Sequence, residues 1–507
     1  MVSVLVCFLI WSYQWNPVQP LNILGIFPYE GRSHFMLFEK YLLKLAERGH
    51  NLTVISHFPQ KETIPNYHDI NLSGKLKIGE SVIPMERSYG TILRVMDFVI
   101  SSGTVDCQVM LENESVQELW ISKRKFDLIV MQHFNTDCGL GLAYKLEAPV
   151  VGITTIELLP WQYRTFGIPL NPSYVPNILS GGYHPTLYER VEKTVLDFLF
   201  DYKHSIGQKV DQETWKKYFD DIPPMEELTK EIRFLLLYQN FVLSGSRLLP
   251  QNVVEVGGFH VESPNPLSGA LLKFIEESQH GVIYISFGSM LQESSLPKNK
   301  MDAINDAIAE LPQRVIWRWN GDDFPGDQKK IFVSKWLPQN DLLAHPKIVA
   351  FLSHGGLLST NEAIYHSVPL VAMPVFGDQP VNAAGIEEAG FGVQIALRDL
   401  TKDNLLEKFR IVLDSKKRVR ELSKAYTDRP IKPMDSAIFW TEYAARHNFS
   451  VKNPVADVPL YQYLCLDVLV VFLIFAIVCL LVLVAMFLMV LLVIKRLMKV
   501  NVKVKNQ

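Results

Sequence analysis

The chain has 507 residues, enough for two or three domains, and its 50 Lys and Arg nearly balance its 53 Asp and Glu, leaving a net charge of −3. No sustained basic block precedes the extreme C-terminus, so nucleic acid is excluded as a partner. Only Cys107 and Cys138 lie outside the apolar ends, which leaves room for one disulfide and excludes a cysteine framework or metal cluster.

The N-terminus carries an apolar run, Val2 to Trp11, that reads as a signal segment within residues 1–20, although it lacks a basic leader and a clean cleavage site. Strand-like LNILGIF (Leu21 to Phe27) follows, then the polar loop GRSHF with His34, then helical spacing over Phe35 to Arg48 and the strand LTVI (Leu52 to Ile55). Strand, helix, strand at this spacing predicts a parallel doubly wound sheet. FDLIVM (Phe126 to Met131) and VVGIT (Val150 to Thr154) extend it. A histidine at the end of the first strand loop can act as a base if a carboxylate orients it, and Asp137 in NTDC is the candidate partner. Sequons at Asn51, Asn71, Asn113 and Asn448 are compatible with a lumenal body.

The Gly- and Pro-rich stretch Val256 to Gly269 predicts a linker at 257–268 between an N-terminal domain, 21–256, and a C-terminal domain, 269–450. In the second domain GVIYISF, RVIWRW, Ile331 to Val333, IVAFLS and LVAMP are five further strand candidates. No G-x-G-x-x-G follows the first strand of the chain, which weakens a dinucleotide-dependent reductase. The fold class is therefore α/β, with two Rossmann-like domains facing a cleft, and ligands belong at the carboxyl ends of the strands.

The polar groups at those ends suit a sugar nucleotide. Gly355 and Gly356 permit close approach of backbone to a diphosphate at a helix N-terminus, with His354 as a further donor. Ser289 in SFGS forms a second small-residue loop, and Arg318 supplies a cation. Trp336 can stack on a base and Gln339 can bond to a nucleoside, with Asn340 as cap of the short helix that follows. Glu362, read as lying on the exposed side of its helix, can accept ribose hydroxyls. Asp378 and Gln379 offer acceptor and donor groups to a sugar.

VLVVFLIFAIVCLLVLVAMFLMVLLVI (Val468 to Ile494) has no charge, Pro or Gly and exceeds the roughly 20 residues that span a bilayer, so 466–494 reads as a transmembrane helix. Lys495, Arg496 and three later lysines put the tail, 495–507, in the cytosol and the body in the lumen. The final KVKNQ resembles a dilysine signal for retrieval to the endoplasmic reticulum membrane.

WLPQNDLLAHP followed by SHGGLLSTNEAIYHSVPLVAMPVFGDQ, together with GRSHF, SFGS, IWRWNG, the single span and the basic tail, resembles the membrane-anchored animal UDP-glycosyltransferases, in an invertebrate-like form, over essentially the whole chain. The resemblance implies a GT-B fold and inverting transfer of a hexose from a UDP-sugar to a small lipophilic acceptor, as in detoxification. It implies no metal or cofactor, and association into homo- or hetero-oligomers. It assigns Trp336, Gln339, Ser289, Arg318, His354, Gly355, Gly356, Glu362, Asp378 and Gln379 to the UDP-sugar, and His34 to general-base catalysis. Two positions depart from the vertebrate pattern: an ungapped match puts Gln132 where the partner aspartate stands, and Leu358 replaces an asparagine beyond the HGG. Arg247 sits one place out of register with the vertebrate arginine that suits glucuronate, which favours UDP-glucose and leaves UDP-glucuronic acid as the alternative donor. A catalytically silent lumenal member that binds lipids or partner enzymes is the alternative.

Overall fold

The computed structural model describes residues 19–74, 88–179, 181–288, 296–321, 324–447 and 453–505, with side chains only as far as 496 at the C-terminal end. The signal segment, Ser289, Asn448 and the side chains of Lys499, Lys503 and Lys505 lie outside the described residues. The chain divides into two compact units, residues 1–452 and 453–507.

In the first unit the described strands form two wholly parallel sheets. The first comprises β1 (Asn22–Phe27), β2 (Asn51–Ser56), β3 (Tyr67–Asn71), β4 (Leu128–Gln132), β5 (Val150–Ile153), β6 (Ile232–Leu237) and β7 (Val253–Glu255), in the order β3-β2-β1-β4-β5-β6-β7. The second comprises β8 (Val282–Ser286), β9 (Arg314–Arg318), β10 (Ile331–Ser334), β11 (Ile348–Ser353), β12 (Leu370–Ala372) and β13 (Gly392–Gln394), in the order β10-β9-β8-β11-β12-β13. Every position of β8 (VIYIS) and β11 (IVAFLS) is buried, as expected of central parallel strands covered on both faces. Strand order reverses between β1 and β4 and again between β8 and β11, and each reversal opens a crevice at the carboxyl ends.

The strands expected from apolar runs are present. The sequence reading passed over β3, β6, β7 and β13. β3 (YHDIN) buries only Tyr67 and Ile70, and β7 and β13 have three residues each, so neither apolar run length nor alternation marks them.

The first crossover helix, Arg32–Glu47, buries Phe35, Leu37, Phe38, Tyr41, Leu42 and Leu45 against the sheet. At about 1.5–3 kcal/mol for each fully buried large apolar side chain, this face alone is a major share of the driving force for docking. The helix Pro433–Arg446, expected within 269–450, packs instead on the N-terminal sheet and its first helix. The Tyr41 hydroxyl lies 2.5 Å from Thr441 Oγ1, Glu442 Oε1 accepts from Arg48 Nε at 2.8 Å and lies 3.1 Å from His50 Nε2, and Arg233 donates to the Ala444 and His447 carbonyls. Its apolar stripe shows a helix that must be buried, but not which sheet receives it.

The stretch expected as a linker is tightly packed where it begins. A Cβ at Gly257 would lie 2.5 Å from the Gln239 carbonyl, and the Tyr238 hydroxyl lies 2.5 Å from His260 Nδ1. Cys107 and Cys138 form the one disulfide the sequence allows, tying the helix Tyr89–Leu111 to the start of Cys138–Leu146. Asn113 is buried as the N-cap of Glu114–Ile121, whereas Asn71 is exposed. In the second unit, Leu466–Arg496 is one continuous helical stretch with mean hydropathy 3.6, long and apolar enough to cross a membrane.

Candidate active site

On the C-terminal sheet, β10 ends in a loop that leaves the Trp336 ring 66% exposed. The Arg318 guanidinium, at the end of β9, sits 5.6 Å from the ring centroid, and the Ser334 hydroxyl donates to the Trp336 carbonyl at 2.7 Å. The indole therefore presents an aromatic surface for a flat heterocycle. Gln339 opens the short helix Gln339–Leu343. It accepts from the Tyr284 hydroxyl at 3.1 Å and donates to Ser359 Oγ at 2.9 Å and to Glu362 Oε2. Glu362 Oε1 lies 3.6 Å from His260 Nε2, and the side chain is 14% exposed rather than on the open side of its helix. Asn340 does not cap: Pro338 occupies that position, and Asn340 Nδ2 donates to the Glu262 carbonyl while Oδ1 lies 2.8 Å from His366 Nε2.

At the crevice between β8 and β11, His354 fills the space between Gly288 and Gly356. A Cβ on Gly288 would lie 2.8 Å from the imidazole, and one on Gly356 would clash with Nε2. Burial, then the nearby Arg318 charge, pushes His354 down to about 4, so it is neutral near pH 7, and its Nδ1 is enclosed without a hydrogen bond. Gly356 begins the helix Leu357–Tyr365 with no side-chain cap, leaving backbone N–H groups for an anion. Asn382 bridges the two loops by donating to Asp378 Oδ2 at 2.8 Å and to the Gly355 carbonyl at 3.0 Å. Burial raises Asp378 to about 6. Gln379 Oε1 accepts from the backbone N–H of Val375 and Phe376, so its amide nitrogen is the group left for a ligand.

On the N-terminal sheet His34 stands at the β1/β4 crevice. Its Nδ1 lies 2.8 Å from Gln132 Nε2, at the end of β4, and 2.9 Å from Thr155 Oγ1, just beyond β5. Its ring packs against Tyr29 and Phe134, at centroid distances of 4.9 and 4.8 Å, in a three-ring cluster. Burial lowers its pKa to about 3. The expected His34–Asp137 pair is not formed. Asp137 precedes the helix Cys138–Leu146 and turns away, with Oδ2 3.1 Å from His204 Nε2 and accepting from Gln208 Nε2 at 2.8 Å, and Oδ1 3.6 Å from His133 Nδ1. The strand end itself, not the residue five positions later, lies over the crevice. Thr155 was missed because nothing in a Thr-Thr pair after a strand distinguishes a histidine contact from a turn.

The two halves meet in a buried charge cluster. Arg247 Nη2 lies 3.8 Å from Glu157 Oε2, and its guanidinium sits 5.8 Å from the Tyr183 ring centroid. Glu157 is raised to about 7, first by burial; Arg247 opposes the shift, and the charges of Asp378 and Glu255 add to it. A groove of about 1100 Å³ between the halves, lined by Arg94, Tyr183, Glu388, Arg398 and Lys408 among others, includes neither His34 nor Trp336 and is not the centre of this constellation.

Residues 23–504 match the family described as UDP-glucoronosyl and UDP-glucosyl transferase. The chain is 35% identical to UDP-glycosyltransferase UGT5 of Dactylopius coccus, covering 89% of each, and 35% identical to UDP-glucosyltransferase 2 of the same insect, covering 89% of this chain and 90% of that one. It is 31% identical to UDP-glucuronosyltransferase 2B1 of Rattus norvegicus, over 86% of this chain and 87% of that one. Among solved structures, the calicheamicin glycosyltransferase CalG4 aligns with a TM-score of 0.57 at 17% identity, over 84% of this chain and 99% of that one. A UDP-glucosyltransferase from Polygonum tinctorium aligns at 0.57 and 14%, over 85% of this chain and all of that one.

Proposed function

Because the chain belongs to the UDP-glucuronosyl and UDP-glucosyl transferase family, and is a glycosyltransferase with the two-sheet GT-B fold, we propose that it moves a neutral hexose from a UDP-sugar to a hydroxyl of a small lipophilic acceptor. One observation carries this reading: Trp336, Gln339, Glu362, His354 and Asp378 gather along the carboxyl edge of one sheet, while His34 stands at the corresponding edge of the other. Uracil stacks on Trp336, Gln339 and Glu362 hold the nucleoside, and His354 with the free N–H groups after Gly355 cradles the diphosphate. Asp378 and the Gln379 amide orient the sugar. The acceptor oxygen attacks the anomeric carbon from the face opposite UDP, its proton passing to His34 as the bond to phosphate breaks, so configuration inverts.

The donor preference rests on charge. The Arg247 guanidinium is already paired with Glu157, on which the charges of Asp378 and Glu255 also act, and a glucuronate would add a further carboxylate to this buried cluster. Glucose adds none. A lipophilic acceptor suits the His34 side of the crevice, where Phe134 contacts the imidazole and is backed by the apolar cluster of Met96, Trp161, Leu179 and Phe200. Leu466–Arg496 anchors the enzyme, with the body in the lumen of the endoplasmic reticulum and KVKNQ in the cytosol. Membranes that contain the expressed protein, supplied with UDP-glucose or UDP-glucuronate and a panel of phenols and steroids, test the reading. Transfer from UDP-glucose is expected; transfer from the glucuronate alone would refute the donor assignment.

A further inference from the structure

The environment of His34 sets a limit on the acceptor. A histidine that takes a proton from an alcohol must carry its own proton on Nδ1, leave Nε2 free, and then bear a positive charge. In nucleophile–His–Asp arrangements the carboxylate does both jobs, fixing the tautomer and countering the imidazolium. Here the two groups on Nδ1 are an amide and a hydroxyl, Gln132 and Thr155, at 2.8 and 2.9 Å. With Gln132 Nε2 toward the ring the amide can only donate, which puts the proton on Nε2 and blocks the base. The base becomes competent when Thr155 Oγ1, or Gln132 Oε1 after the amide turns, accepts Nδ1–H.

In neither arrangement does the imidazolium gain a counter-ion from these partners. Asp137, the nearby carboxylate of the following loop, is held by His204 and Gln208 and flanked by His133. Tyr29 and Phe134, which pack against the ring, are uncharged, because burial and the Asp106 charge keep the Tyr29 phenol protonated up to about 12. Burial without an opposing charge is also what pushes His34 itself far below the usual histidine range.

We infer that Gln132 and Thr155 restrict this enzyme to acceptors with an acidic hydroxyl, of phenolic character, and exclude ordinary alkanols. The inference rests on the proposed role of His34 as base. A phenol ionises near pH 10, as tyrosine does, whereas an alkanol holds its proton about as tightly as water, at about 15.7. As the oxygen–anomeric carbon bond forms and the bond to UDP breaks, UDP departs with the electron pair and the acceptor proton moves to His34 Nε2 and then to solvent. With a phenol most of the negative charge is carried by the acceptor itself, so little is asked of the base. With an alkanol the uncompensated imidazolium must form early. Gln132 is thus a positioning residue that sets specificity through His34.

The test measures kcat/KM with UDP-glucose for 4-nitrophenol, 4-methoxyphenol and benzyl alcohol. For the wild type the value falls with acceptor acidity, and benzyl alcohol lies at least about 100-fold below 4-methoxyphenol, the lower bound of what a well-supported general base supplies. Gln132→Glu keeps the side-chain length and places a carboxylate on Nδ1. It is expected to raise kcat for benzyl alcohol and narrow that gap by at least about tenfold, with KM for UDP-glucose unchanged. A purely structural role for Gln132 would move all three acceptors together. The inference is overturned if the wild type uses the three acceptors within threefold of one another, a result that needs no variant to fold. It is equally overturned if Gln132→Glu retains UDP-glucose binding and leaves the gap in place. Absence of transfer to every acceptor from any UDP-sugar would instead sink the proposed function, and the inference with it.

Discussion

Replacement of Asp137 separates two roles that its position in sequence confounds. Its carboxylate is buried, 1% exposed, and is held by His204, Gln208 and His133 on the side away from His34. Despite burial, the histidine partners and Gln208 keep its pKa below the usual aspartate range. A carboxyl with a lowered folded pKa contributes stability that is full above the unfolded value of about 3.9 and is lost as pH falls through the folded value. Asp137→Ala strips a buried, paired anion and leaves its partners unsatisfied, a change worth about 3–5 kcal/mol. Asp137→Asn keeps the shape and a hydrogen-bond acceptor and loses the charge, so about 1–3 kcal/mol is expected. With unfolding entropy near 2 cal/mol/K per residue, a body of this size shifts by about 1 °C per kcal/mol, giving a fall of about 3–5 °C for Ala and 1–3 °C for Asn. Thermal unfolding at pH 7.5 and below about pH 3, beside kcat at a temperature where both variants are folded, reads both effects. Retained kcat with lowered stability, the difference from wild type shrinking at low pH, is the expected result. An unchanged melting temperature with kcat reduced more than about 100-fold would show that Asp137 acts on His34 and would refute the reasoning.

Other substitutions test the donor side. Trp336→Ala removes an exposed stacking surface worth about 1–3 kcal/mol per base, so KM for UDP-glucose should rise at least fivefold with little change in melting temperature. Gly356→Ala forces a methyl into the His354 imidazole and should lower kcat/KM by at least tenfold, whereas Gly90→Ala, near the start of an exposed helix turn where a Cβ would lie 3.7 Å from Ser88 Oγ, should leave turnover intact. Glu157, raised to about 7 by burial, costs stability as pH rises from about 4.5 to 7. Glu157→Gln should therefore stabilise the protein at pH 8, by up to about 3 kcal/mol, and should improve use of UDP-glucuronate relative to UDP-glucose; a melting temperature lower than wild type at pH 8 would contradict the assignment.

Much of this was legible in the chain itself. Uninterrupted apolar runs such as IVAFLS and GVIYIS identify central parallel strands because both of their faces must be dry, and the residues just after them are then bound to lie at a ligand-bearing edge. His354 with its glycines, and Asp378 with Gln379, are located by that logic alone. The apolar stretch from Val468 onward needs only its length and lack of charge.

What sequence spacing could not supply is which neighbours meet. Whether Gln132 or Asp137 faces His34 depends on where β4 ends and how the chain turns into the helix at Cys138, a question of a few ångströms that local preferences leave open. The pairing of Glu157 with Arg247, and the return of Pro433–Arg446 to the first sheet, join residues far apart in the chain. Such contacts are fixed by packing of whole elements, because a buried side chain takes whichever partner the neighbouring layer presents. The chain by itself determined two Rossmann-like sheets and the polar clusters at their carboxyl edges; only the tertiary structure decided that His34 is supported by an amide and a hydroxyl instead of a carboxylate.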